Sequence, residues 1–369
     1  MTVLDEVDPA AREVLERYRF DAERFEALRG RVARGELTPE SNVVQGPVEP
    51  PAPGDLDRLP APGEPGHAEA HAAGVEALRA GLVAQVVLAG GMATRFGGVV
   101  KGVVEVIDGR TFLDVKLAET ARLADELGAT IPVALMTSFA TDAVTREHVG
   151  ALEVPEPAFF PQFVSLRLEP SGALFRDRAG AVSLHGPGHG DLFDALRLSG
   201  LLEQLRARGV EHVAVSNVDN LGARIDPAVV GAHLLAGTPL TIEVAAKDGD
   251  AGGAPARVAG RLRVVEGPCF PRGFDQGSIS VFSTNTATVA LEAIAGPVEL
   301  SWLYVSKQVD GRPAVQLERL YHELSALVAT TCLEVPRGGA RGRFMPVKTP
   351  EDLPRVRADL QAMLGTSLA

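Results

Sequence analysis

Apolar and polar residues alternate along this chain in rhythms that change in a definite order. Between Pro9 and Arg34, Val14, Tyr18, Phe25, Leu28 and Val32 return at roughly helical spacing with charges between them, which predicts one helix. Gly46 to Gly66 then holds seven prolines and four glycines. Prolines at this density block helix and ladder hydrogen bonds, so the stretch reads as an extended connector that separates a helical arm from the body. The body opens with a helix near Glu69–Ala80 and an apolar strand at 84–89. Thr111 to Leu127 carries Leu113, Leu117, Ala121, Ala124 and Leu127 on an amphipathic helix that Gly128 ends. Ile131–Met136 is a second apolar strand despite Pro132. Strand, helix, strand is a βαβ unit and predicts an α/β fold on a mainly parallel mixed sheet flanked by helices.

Further along, Asp191–Arg208 reads as a helix ending at Gly209, Glu211–Asn217 as a strand, and Asp226-Pro227 as the start of a helix. Leu240–Ala246 is a strand, and 256–283 shifts to shorter Gly- and Val-rich segments suited to an antiparallel subdomain. Arg343–Lys348 is extended, and Thr349-Pro350-Glu351-Asp352 opens a last helix with a capping-type sequence. The expected organisation is an N-terminal helical arm with its connector over 1–66, an α/β domain over 67–335, and a C-terminal segment over 336–369.

Composition narrows the class. The chain has 369 residues and a net charge of −12, which argues against nucleic acid or an acidic membrane as partner. An anionic small substrate must then meet cations clustered locally on an acidic body. The two cysteines, Cys269 and Cys332, lack CxxC spacing, so neither a zinc site nor a disulfide framework is indicated. The N-terminus is acidic without an apolar core and no run of 18 apolar residues occurs, so a cytoplasmic protein is expected, with oligomeric state open.

Val86 to Gly102, VVLAGGMATRFGGVVKG, is where chemistry first shows. An apolar strand stops at Gly90-Gly91, and Arg95 and Lys101 follow. Uncovered backbone N–H groups and two cations suit a phosphate chain. No Gly-Lys-Ser/Thr follows, and Met92 breaks the dinucleotide fingerprint, so the loop is of a third kind; the alternative is a tight βα turn with incidental charges.

Other polar positions follow strands. Ser138, Thr141 and Asp142 either cap a helix or face a ligand. Gln162, inside FFPQFVSLRL, offers a donor and an acceptor that match O4 and N3–H of uracil, or is a core glutamine bonded to backbone. His189 sits in GPGHGD with no bulky neighbour, at a turn whose N–H groups favour anions or hydroxyls, or is a solvated loop histidine. Asp219, in SNVDNLGARID, is placed to hold Mg²⁺, while Asn220 could bond a sugar or its phosphate; together they could equally form an Asx turn. Asn285 could cap a helix with Thr284. In RFMPVK, Phe344 and Val347 turned inward would aim Lys348 at a fixed point, unless it is a surface lysine. Lys307 reads as solvated.

These strings, in this order, resemble the UDP-glucose pyrophosphorylase (UTP–glucose-1-phosphate uridylyltransferase) family from about residue 75 to 355. The loop resembles L-A-G-G-x-x-x-T-R-x-G followed by Lys-Gly, with Val100 where the family usually has Pro. MTSFATD resembles M-N/T-S-F-x-T-D, and SNVDNLGARID resembles N-x-D-N-L-x-A-x-x-D. FSTNT resembles F-N-T-N-N, RFMPVK resembles R-F-L-P-V-K, and GRPAVQLE also matches a family segment. P-G-H-G-D belongs to the branch that makes UDP-glucose, whereas the UDP-N-acetylhexosamine branch usually has Gly-Asn-Gly. The resemblance implies a Rossmann-like fold of the nucleotide-diphospho-sugar transferase type and a reaction of UTP with glucose 1-phosphate. It implies Arg95, Lys101 and Lys348 as the catalytic cations and Asp219 as the Mg²⁺ ligand. Leu88, Ala89, Gly90, Gly91, Gln162 and Gly188 would bind the nucleotide, and His189, Asn220 and Asn285 the sugar. Alternatives are a UDP-N-acetylhexosamine or broad-specificity UDP-sugar pyrophosphorylase, or a catalytically silent UDP-sugar-binding regulator. No Ser/His/Asp arrangement is legible, and an anionic sugar phosphate needs no general base. Eukaryotic members continue past the lysine into a β-helix that assembles oligomers, so their quaternary structure does not carry over.

Overall fold

The computed structural model describes residues 2–93, 98–250, 252–347 and 349–366. Its central sheet is built from β1 (Leu56–Arg58), β2 (Val83–Leu88), β3 (Val133–Thr137), β4 (Ala158–Pro161), β5 (His212–Asn217), β6 (Leu240–Ala246), β7 (Val281–Ala290) and β8 (Thr330–Glu334). Their spatial order is β1-β8-β6-β7-β5-β2-β3-β4. β7 runs antiparallel to both its neighbours, and every other pairing is parallel. The helices are α1 (Pro9–Arg17), α2 (Ala22–Ala33), α3 (His67–Arg79), α4 (Phe112–Leu127), α5 (Asp142–Gly150), α6 (Leu192–Leu198), α7 (Leu201–Ala207), α8 (Pro227–Ala236) and α9 (Asp352–Thr366). None of the described helices is long and apolar enough to cross a membrane.

β2 is buried at every position because the sheet is covered on both faces. Ala84, Val86 and Leu88 pack with Leu192, Phe193 and Leu196, while Val87 and Ala89 pack with Phe112, Leu113, Val115 and Val347. The local start and stop signals act as read. The Thr111 hydroxyl caps α4 by accepting from the Asp114 N–H at 3.2 Å, and Gly128 ends that helix in the left-handed conformation. Asp226 caps α8 ahead of Pro227, accepting from the Ala228 N–H at 2.8 Å.

Four expectations need correction. The helix expected over 9–34 is two, α1 and α2, broken at Arg19, whose φ is 54°. The helix expected over 191–208 is also two: Gly200 takes a φ of 81° between α6 and α7, so the axis changes there. The proline-rich connector is not excluded from ladders: Val48–Glu49 pairs with Ala254–Val258, and β1 joins the main sheet beside β8. Prolines flank those short strands rather than interrupt them. Thr284 and Asn285 cap no helix. They lie inside β7 at a bulge opposite Glu243/Val244, with Asn285 at φ 57°. The antiparallel subdomain appears as Ala254–Val258 paired with Arg261–Val265. α1 and α2 share an apolar cluster with Val164, Leu166, Leu168 and Val315, so they pack on the body.

α3 and α8 approach so closely that only glycine fits. A Cβ on Gly231 would lie 1.7 Å from the Ala70 carbonyl oxygen, and one on Gly74 1.8 Å from that of Pro227. Both obstacles are backbone, so Gly231→Ala is expected to force the helices apart and cost about 1–3 kcal/mol. Urea titration of the variant measures it; an unchanged midpoint would refute this packing.

Buried histidines, with His233 and His185 shifted furthest, set a pH dependence. His233 bonds Thr241 Oγ1 at 2.8 Å and His212 Nδ1 at 3.0 Å, and burial pushes its pKa down to about 3. His185 bonds the Gly186 carbonyl at 2.9 Å, and burial likewise pushes it to about 3. Below pH ~6.5 the unfolded chain takes up protons that the folded chain refuses, so the histidines' contribution to stability is full above that pH and falls toward pH 4. Each histidine contributes a slope of about 1.4 kcal/mol per pH unit. Asp191, which burial raises to about 6, offsets one of them between pH 6 and 4. Urea midpoints at pH 7, 6 and 5 should decrease in that order.

Candidate active site

The carboxyl ends of β2, β3, β4 and β5 lie along one rim of the sheet, where open α/β sheets place ligands. Gly90-Gly91 follows β2 there. The loop after β3 holds the turn from below: Ser138 Oγ donates to the Gly90 carbonyl at 2.9 Å and Thr141 Oγ1 to that of Ala89 at 3.0 Å. Asp142 accepts from Thr137 Oγ1 at 2.6 Å and pairs with Arg146 at 3.0 Å. The side chains of these three residues therefore buttress the turn, and none of them makes a capping bond to α5. Leu88 and Ala89 have buried side chains, and the N–H and C=O of Ala89 are both engaged, so they shape the turn rather than present polar groups.

Past the turn, the Lys101 N–H donates to the Gly91 carbonyl at 3.3 Å. Its ammonium forms an ion pair with Asp219, in which both side chains keep about a sixth of their surface exposed. The Asp219 carbonyl accepts from the Val347 N–H at 3.2 Å. The glycine turn, Lys101, Asp219 and the segment running into Lys348 thus come together from four parts of the chain. Arg95 and Lys348 themselves lie outside the described residues. In that last segment Met345 and Val347 point inward, whereas Phe344, expected inward, is half-buried against the Phe282 ring at 4.8 Å.

Beside the turn, the Gln162 amide stands between two glycines. A Cβ on Gly90 would come 3.3 Å from Gln162 Cδ, and one on Gly186 2.0 Å from Nε2. Among the described residues the amide has no hydrogen-bond partner, so its donor and acceptor are free. Gly188, at φ 89°, lets the loop lie against the main chain of Arg319; a Cβ there would be 2.4 Å from that carbonyl oxygen.

His189 is not the uncovered histidine that its glycine neighbours imply. Its ring meets Tyr321 at 5.0 Å and His322 at 5.9 Å, and Nδ1 accepts from the Tyr321 N–H at 3.2 Å. Burial pushes its pKa down to about 4, so at neutral pH Nε2 carries the proton. Asn285 lies in the β7 bulge with Nδ2 2.8 Å from Asn217 Oδ1. Asn220 is a correction. It is 2% exposed, donates to the Arg343 carbonyl at 3.1 Å and accepts from the Met345 N–H at 2.9 Å. Its amide clamps the segment before Lys348 and cannot face a sugar.

Sequence reasoning missed a line of three groups near His189. Glu266 Oε1 lies 3.1 Å from His322 Nδ1, and His322 Nε2 3.2 Å from Ser283 Oγ. Burial alone would raise Glu266, but His322 and His189 hold its carboxyl below the usual range. A Ser/His/Glu alignment therefore exists although none is legible in the chain; its members lie far apart in sequence. Lys116, also missed, is 3% exposed and bridges both ends of the Asp219 loop, at Ser216 Oγ (3.0 Å) and the Ala223 carbonyl (2.8 Å). Burial brings its pKa to about 7.

A glycine turn, a free amide and a partly exposed lysine–carboxylate pair on one rim of an α/β sheet would suit a polyanion that carries a hydrogen-bonding ring. Residues 67–368 match the family described as UTP–glucose-1-phosphate uridylyltransferase, and the chain belongs to that family. It is 30% identical over 298 residues to the UTP–glucose-1-phosphate uridylyltransferase of Solanum tuberosum, covering 75% of this chain and 61% of that one. The Saccharomyces cerevisiae enzyme of the same name is 32% identical, with coverages of 74% and 58%. The chain thus spans about three-fifths of the length of these relatives. Its fold is similar to that of a point mutant of the Leishmania major UDP-glucose pyrophosphorylase in complex with UDP-glucose (TM-score 0.72, 24% identity, 94% of this chain and 78% of that one). It is also similar to the Trypanosoma brucei UDP-N-acetylglucosamine pyrophosphorylase in complex with inhibitor (TM-score 0.71, 20% identity, 89% and 75%).

Proposed function

We propose that the chain makes UDP-glucose and pyrophosphate from UTP and glucose 1-phosphate. The observation that carries this reading is the meeting of Gly91, Lys101, Asp219 and Val347 on one rim. The fold fits a Rossmann-like nucleotide-diphospho-sugar transferase. In this reading the Gly90-Gly91 turn and Gln162 seat the uridine, with Gln162 supplying the donor and acceptor that uracil requires. The sugar phosphate oxygen attacks the α-phosphorus in line with the leaving pyrophosphate. That oxygen is already anionic, so the site supplies position and charge rather than a base. Lys101 and Lys348 neutralise phosphates near the transferred group, and Arg95 takes the pyrophosphate. His189, through Nε2–H, and Asn285 face the sugar, with Glu266 as a further acceptor of hydroxyls.

Mg²⁺ fits this donor set on one condition. No described cluster of three His, Cys, Asp or Glu could hold a metal unaided. Asp219 offers one partly exposed carboxylate, and Mg²⁺ is commonly held by one or two carboxylates plus substrate phosphates. Asp219 would therefore hold an ion that arrives with the nucleotide, and that ion would screen the repulsion between two polyanions.

Pyrophosphate release across a panel of nucleoside triphosphates and sugar 1-phosphates, with Mg²⁺ present, tests the reading. UTP with glucose 1-phosphate should be the preferred pair. Preference for N-acetylglucosamine 1-phosphate would move the chain to the other branch, against the histidine in GPGHGD. UDP-glucose binding without turnover would make it a regulator.

A further inference from the structure

A second cleft, of about 380 Å³, lies between the N-terminal helices and the body. Its walls include Phe163 and Pro187, the chain neighbours of Gln162 and Gly186, but neither of those site residues. Phe20, Phe163, Leu198 and Trp302 make it largely apolar, and Leu198 keeps 45% of its surface exposed there. This size and lining match a small-molecule site.

Its charges are unevenly placed. Arg24 is paired with Asp21 at 3.5 Å, and Arg197 with Asp194 at 2.9 Å. The Arg19 side chain, at the break between α1 and α2, has no hydrogen bond or ion pair among the described residues. Glu299 is the carboxylate without a partner among the described residues, and it comes from a different element, the stretch leading to Trp302. An anionic group is therefore favoured at the Arg19 end and an uncharged ring at the Trp302 end.

Arg319 joins this cleft to the active site. Its guanidinium lies 4.8 Å from the Trp302 ring and bonds Asp191 at 2.6 Å and Asp194 at 3.3 Å. Its N–H donates to the Pro187 carbonyl at 2.7 Å, and its carbonyl accepts from the Gly190 N–H at 2.8 Å. One residue thus grips both sides of Gly188-His189.

We propose that this cleft is an effector site for a flat, largely apolar molecule bearing one anionic group, whose binding moves the Gly188–Asp191 turn through Arg319. The effector role rests on the reading of that turn as part of the nucleotide and sugar site. The binding role does not.

Trp302 is the chain's single tryptophan, so energy transfer from it reports occupancy without turnover. The probes are 8-anilino-1-naphthalenesulfonate and N-phenyl-1-naphthylamine, one ring system with and without the anionic group. The sulfonate should bind saturably, one per chain, and the uncharged amine about ten-fold more weakly, the scale of one charge-assisted contact. Arg19→Ala should reduce the sulfonate to the amine's affinity, and Leu198→Glu should abolish binding; both positions are exposed, so the variants should keep the wild-type melting temperature. The sulfonate should raise KM for UTP in the wild type and leave it unchanged in Leu198→Glu. Absence of saturable transfer, equal affinity for both probes, or binding unaltered in both variants would overturn the site. An unchanged KM with the site occupied would overturn its effector role. Saturable binding with no pyrophosphate release from any substrate pair would instead refute the active-site reading and leave the binding site standing.

Discussion

Lys101→Ala is expected to lower turnover about 100- to 1000-fold, the scale on which preorganised charge is lost from such sites. Two effects add. In the proposed reaction the variant removes a cation from the place where two polyanions would meet, and it leaves the Asp219 carboxylate without its ion pair, facing the incoming phosphates. Stability should change little. The pair is partly exposed, and such pairs contribute at most about 1 kcal/mol. The substitution thus separates catalysis from folding: the melting temperature should stay near wild type while pyrophosphate release falls. Lys348→Ala is expected on the same scale. If Lys101→Ala retains activity within about ten-fold of wild type, the ammonium is not aimed at the reacting phosphates and the site must be reassigned.

What could be read from the chain, and what could not, divides by the range of the forces involved. Thr111, Gly128 and Asp226-Pro227 act on backbone groups a few residues away, so their meaning is local and the helices begin and end where they indicate. β2 announces itself by six successive buried positions. The breaks at Arg19 and Gly200 are local too, but a helical run of apolar residues on both sides masks them. Asn285 is different. Its role depends on a bulge in the pairing of β7 with β6, opposite Glu243/Val244, and no residue near it in sequence signals that pairing. Asn220 shows the same limit. Its string invites a ligand role, yet tertiary packing engages both ends of its amide with the main chain of residues 343 and 345. Glu266, His322 and Ser283 come from three separate segments, so their alignment has no trace in spacing.

The clamp at Asn220 has a deeper anchor, and breaking it should have the largest effect on stability. Arg343 and Glu243 form a two-pronged ion pair, 2.8 and 2.6 Å, with both side chains no more than 4% exposed. The remaining Arg343 prong reaches the Arg224 carbonyl at 2.7 Å, at the far end of the Asp219 loop. Glu243→Leu leaves a buried guanidinium without its counter-charge, which costs about 3–5 kcal/mol. The double variant Glu243→Leu/Arg343→Met removes both charges at similar volume and should recover most of that stability, because desolvation of the pair then disappears as well. Activity should not recover with it. The double variant still lacks the Arg343–Arg224 bond that ties the segment before Lys348 to the loop bearing Asp219, so a stable protein with depressed turnover is the expected result. Urea unfolding and pyrophosphate release measured on the same three proteins decide the matter. A single variant that loses under about 1 kcal/mol would mean that the buried pair does not hold the fold, and a double variant with wild-type turnover would mean that it does not hold the segment before Lys348 in place.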